Sequence, residues 1–122
     1  MKLGLVLLSL LASAPIAVAA EDLPPLTGRD VQVRLVGRPW ENFPLGAQRA
    51  GVGGKVVLLC RVKADGGLED CTAQSETPQG YGFGAAAVKS AGAFRLAPNA
   101  KDGSPTAGRM FQFDMKFGID GY

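Results

Sequence analysis

Three stretches of the chain alternate apolar and polar residues with the two-residue period of a half-buried strand. The strongest is GGKVVLLCRV, where Val56, Leu58, Cys60 and Val62 share one face and Val57 and Leu59 leave the other partly apolar. Near the C-terminus, RMFQFDMKFGI sets Phe111, Phe113, Met115 and Phe117 on one face against Gln112, Asp114 and Lys116 on the other. A shorter run, Val31–Val36, alternates Val31, Val33 and Leu35 with Gln32 and Arg34 and predicts an edge strand. The turn KADGG, Lys63–Gly67, separates the first of these strands from a return strand, LEDCTAQS.

The hydrophobic pattern also sets the hairpin register. A plain two-residue turn at Asp65-Gly66 pairs Cys60 with Cys71 but points Leu68 away from the core. One extra residue at Glu69-Asp70, a β-bulge, turns Val62, Leu68, Cys60 and Cys71 all inward. Two helices complete the pattern. PLGAQRAG predicts a short one with Pro44 at its first position and Gly51 at its end. FGAAAVKSAGAF predicts a second over Phe83–Phe94, with Phe83, Ala87, Ala91 and Phe94 on one face. Gly84 and Gly92 weaken that helix unless they let its backbone approach a sheet. GRPWENFP, ETPQGYG and APNAKDGSPTAG read as connections. The predicted fold class is α+β, a small antiparallel sheet of three or four strands packed on two helices.

The first twenty residues, MKLGLVLLSLLASAPIAVAA, read as a secretory leader, with one charge at Lys2, an apolar run, Pro15 and small residues at the end. Cleavage is expected near Ala20 or Glu21, and the alternative is a membrane anchor over residues 3–20. The mature chain then enters an oxidising space, which changes the reading of the two cysteines. Cys60 and Cys71 lack Cys-x-x-Cys spacing, and no histidine or third cysteine joins them as a metal ligand. A disulfide needs only neighbouring strands, and it is favoured over free thiols or a redox site, with a contribution of roughly 2–3 kcal/mol.

At 47% hydrophobic residues the 122-residue chain is globular, and its net charge of +2 is scattered. No basic stripe suggests nucleic acid. Without histidine, the commonest general base is missing, no catalytic constellation is visible, and no metal or cofactor is expected. Arg95 and Arg109 read as solvated charges, and Trp40 and Tyr81 as packing residues.

The order of elements and certain residues resemble the C-terminal domain of TonB, the energy transducer of Gram-negative bacteria. These residues are Phe43, Pro44, Ala47, Gly51 and Gly54 before the first long strand, then VVLLCRVKADGGL through an Asp-Gly turn. Phe83, Ala86-Ala87, Phe94, Arg95 and Pro98 follow, and then Gly103 to Pro105 before the last strand. The chain divides accordingly into a leader (1–20), an extended lead-in with an edge strand (21–42) and a TonB-like domain (43–122). It departs from the family in having no histidine, no long Pro-rich linker, and Asp114 where the family often has proline. About twenty residues separate leader and domain, a reach of roughly 70 Å when fully extended.

The resemblance implies a protein-binding module of TonB-dependent transport, not an enzyme. Its partner would be the N-terminal box peptide of an outer-membrane transporter, added as a strand along Phe111, Gln112, Phe113, Asp114, Met115, Lys116 and Phe117. Two rivals for that edge are the Val31–Val36 strand and a second copy of the domain, which would make a homodimer. The alternative function is a stand-alone, disulfide-stapled periplasmic structural protein without transport coupling.

Overall fold

The computed structural model describes residues 22–118. The leader, its cleavage point and the alternative anchor lie outside the described residues. Five strands and two helices follow in the order β1 (Val33–Leu35), α1 (Leu45–Ala50), β2 (Gly54–Val62), β3 (Leu68–Thr77), α2 (Phe83–Ser90), β4 (Phe94–Leu96) and β5 (Met110–Phe117). One sheet has the order β3-β2-β5 and is antiparallel throughout. A second, two-stranded sheet pairs β1 with β4. This is the expected α+β class, split over two sheets.

The apolar faces read from the sequence form the core. Val56, Leu58, Cys60 and Val62 of β2 are buried, as are Phe111, Met115 and Phe117 of β5. Phe83, at the start of α2, packs against Phe117 with ring centroids 5.2 Å apart, and Phe43 lies edge-on to both rings. The small residues of α2 do bring it close to the sheet, for a Cβ on Gly84 would lie 3.3 Å from that of Ala73 on β3. Glu76 of β3 accepts a hydrogen bond from the Gly84 N–H, satisfying one unpaired donor of the helix's first turn.

Several boundaries differ from the sequence reading. Pro44 precedes α1 with extended ψ of 128° instead of opening it. The connection before it includes a 3-10 turn at Pro39–Asn42, which Ser90 ties to α2 by lying 3.1 Å from the Pro39 carbonyl. β3 continues to Thr77, two residues into the expected loop. The second helix stops at Ser90, passes through a 3-10 turn at Ala91–Ala93 and becomes strand β4. Phe94 is therefore a strand residue, its ring tilted at 60° to that of Phe113 with centroids 5.4 Å apart across the two sheets. Its pairing with β1 overrides a helical pattern that Gly92 had already weakened.

Cys60 and Cys71 are joined in a disulfide, with Cα atoms 4.1 Å apart. The bulge that lets them meet lies one residue later than expected. Leu59 pairs with Thr72 and Arg61 with Glu69, so Asp70 and Cys71 both face Cys60. Asp70 takes a left-handed φ of 51°, a conformation that aspartate tolerates better than most residues. Val62 opposes Leu68, as the inward pattern requires. A second register shift, between Val57 and Leu58, leaves Gln74 as an extra residue on β3.

At the hairpin turn, Gly67 donates its N–H to the Asp65 carboxylate at 2.8 Å. That bond, aided by Lys63 and Arg95, holds the Asp65 carboxyl below the usual range against the opposing effect of burial. Gly66 has φ of +85°, and a Cβ there would collide with the Leu96 carbonyl oxygen of β4. Gly66→Ala should cost roughly 1–3 kcal/mol in chemical denaturation. Gly46→Ala on α1, where a Cβ meets nothing within 4 Å, should instead be neutral or stabilising. Separately, reduction of the disulfide should remove about 3 kcal/mol and lower Tm by roughly ten degrees or more while circular dichroism keeps its folded form. Thiol titration of the unfolded, unreduced chain should find no free thiol.

Candidate protein-interaction edge

β5 stands at one edge of the main sheet and β3 at the other. The two edges are not equivalent. β3 is broken by two register shifts and carries Glu69, Asp70 and Glu76, devices that discourage another strand from pairing. β5 pairs with β2 without interruption from Gly54↔Phe117 to Arg61↔Met110. It therefore presents a regular, unbulged free side.

Only the first part of that side is occupied among the described residues. Leu26 of the lead-in forms a parallel bridge to Phe111. Its N–H donates to the Met110 carbonyl and its carbonyl accepts from the Gln112 N–H, both at 2.8 Å. Leu26 is buried in the core, and Arg109 holds the same segment by donating to the Pro24 carbonyl at 3.0 Å. These bonds show that even-numbered residues of β5 turn their backbone groups away from β2. The Gln112 carbonyl and the N–H and C=O of Asp114 and Lys116 then point outward with no backbone partner among the described residues.

The side chains alternate as expected, with Gln112, Asp114 and Lys116 exposed and Phe113 half-buried between buried Phe111 and Met115. Asp114 forms an ion pair with Lys55 of β2 at 3.1 Å, both about half exposed, so it contributes under ~1 kcal/mol. Lys116 sits directly across from the same Lys55 and pairs with no acid among the described residues.

The expected rival for this edge is elsewhere. Val33–Leu35 pairs with β4, and Val31 is buried in the core. Leu26, which the sequence pattern did not single out, takes the position instead; its only signal was an isolated leucine among prolines and polar residues. Arg109 and Arg95 are not free surface charges. Both are partly buried and donate to carbonyls, Arg95 to those of Gly92 and Phe94 at 3.1 and 2.9 Å. Trp40 and Tyr81, read as packing residues, keep 48% and 38% of their surface open, and Tyr81 lies against Phe83 with ring centroids 6.0 Å apart.

The family model for the Gram-negative bacterial TonB protein C-terminal matches residues 39–119. The chain belongs to the TonB C-terminal family. No curated protein matches it. The matched span runs from the 3-10 turn through β5 and so contains the whole β3-β2-β5 sheet. The proline that the family resemblance leads one to expect where Asp114 stands would fit the geometry here. The N–H at that position faces away from β2, so proline removes no bond of the ladder, and aspartate offers one more outward donor. No helix among the described residues is long and apolar enough to cross a membrane.

Amide hydrogen exchange checks this edge. Phe113 and Met115, bonded to β2, and Gln112, bonded to Leu26, should exchange slowly. Asp114 and Lys116 should exchange at least about a hundredfold faster, as unpaired edge amides do. Leu26→Ala should bring Gln112 into the fast class and cost roughly 2–4 kcal/mol.

Proposed function

We propose that this TonB-family domain is an exported peptide-binding module that takes up the N-terminal box peptide of a TonB-dependent outer-membrane transporter as an added strand along β5. The observation that carries the reading is the run of outward backbone groups from the Gln112 carbonyl to Lys116, regular in register and uncovered by other described residues. An extended peptide laid there gains main-chain hydrogen bonds of about 1 kcal/mol each. Exposed Gln112, Asp114 and Lys116 set its side-chain preference on the outer face. Lys116, beside Lys55, favours an acidic residue opposite.

The proposal places residues 1–20 as a leader removed near Ala20, residues 21–42 as a lead-in, and the working domain at 43–122, in the periplasm. The disulfide supports an oxidising compartment. A second reading, a structural protein that does not couple to transport, draws support from the lead-in, since Leu26 already fills the edge at Phe111.

Titration with a transporter N-terminal peptide separates the two. Amide shifts clustered on residues 112–117 with saturable binding support the module. Absence of binding by both the full chain and a Leu26→Ala variant leaves the structural reading.

A further inference from the structure

Among the described residues β1 is also an edge, and it is built unlike a protected one. Gln32 accepts from the Ala97 N–H at 2.9 Å and Val36 donates to the Ala93 carbonyl at 2.7 Å. Even-numbered residues of this segment therefore face β4, and the N–H and C=O of Val33 and Leu35 face outward without a backbone partner among the described residues. Edge strands are usually blunted by lysine, proline or a bulge. Here Val33, Leu35 and Val36 instead leave 39%, 55% and 49% of their surface open.

The two faces of β1 differ in chemistry. Val33 and Leu35 lie opposite Leu96 and Phe94, on the side that meets the core, so their side chains form an aliphatic ledge continuing that core outward. Arg34 lies on the other face, directly across from Arg95. Like charges set opposite each other weaken a strand pair. No carboxylate among the described residues pairs with Arg34. Both arginines line a groove of ≈750 Å³ bounded by β1, β4 and the Ala64–Gly66 turn. The Asp65 carboxylate lines the same groove and is held low in part by Arg95, which leaves Arg34 as the cation there with no acidic partner among the described residues.

We propose that the β1 edge and this groove are a docking site for an extended peptide whose aliphatic and acidic side chains alternate. The peptide's backbone pairs with Val33 and Leu35. Its aliphatic side chains cover the ledge, and its acidic ones meet Arg34 over the groove. The charge pattern disfavours a second copy as the occupant, because the antiparallel self-pairing that overlaps all of β1 sets Arg34 against Arg34. The inference stands apart from the β5 reading and uses none of its residues.

The test is titration of the full chain with a short alternating Val-Glu peptide, with Val-Lys and all-Glu peptides as controls, read by amide shifts and amide exchange. Shifts on residues 33–35 and 93–97, slowed exchange at Val33 and Leu35, and a preference of about tenfold for Val-Glu over both controls support the site. Arg34→Glu should invert the preference towards Val-Lys, and Leu35→Lys should weaken Val-Glu binding by about tenfold with an unchanged amide spectrum elsewhere. Equal binding of the Val-Lys peptide, shifts confined to residues 110–117, no binding at millimolar peptide, or peptide-free, concentration-dependent shifts at residues 33–35 from self-association would each overturn it.

Discussion

Everything in this domain leans on the two-sided pairing of β2. It is hydrogen-bonded to β3 along one side and β5 along the other, and its buried face carries Val56, Leu58, Cys60 and Val62. A three-stranded sheet has one central strand, so β3 and β5 must both be edges. Their different treatment follows from their partners. β3 is tied by the disulfide, interrupted by two register shifts and packed against α2, whereas β5 keeps one register and, among the described residues, pairs only with Leu26 on its outer side.

The disulfide and the aromatic cluster anchor opposite ends of that central strand. Cys60 lies near the turn end of β2, where the bulge at Asp70 and Cys71 brings the sulfurs within bonding reach. At the other end, Gly54 pairs with Phe117 and leaves room for the Phe83 ring, which would lie 2.5 Å from any Cβ placed there. A small core of this kind has few interactions to spare, since whole-domain stability is on the order of 5–15 kcal/mol.

Both proposed sites rest on unsatisfied backbone. Loops and side chains of the described residues gather no group of three or more metal-ligating residues. What the surface offers is strand edges, at Gln112–Lys116 and at Val33–Leu35, each flanked by an alternating set of side chains that can select a sequence. The lead-in links the two edges in the chain, because Leu26 seals the start of the first and Val31, buried in the core, positions the second.

The sequence by itself determined the faces of β2 and β5, the pairing of Val62 with Leu68, the joining of Cys60 to Cys71 and the family. In each case the side-chain period of two ties burial to register, so a slip of one residue would expose the core. Tertiary structure alone decided what short or weakly patterned segments do. Phe94–Leu96 became a strand because β1 was there to pair with it, and Val33–Leu35 joined β4 instead of the main sheet. Leu26 closed the start of the β5 edge through backbone bonds that leave no periodic trace in sequence. Arg95 and Arg109 gave up solvent for carbonyls whose positions depend on distant chain segments, Pro24 and Arg109 being brought together by the fold alone.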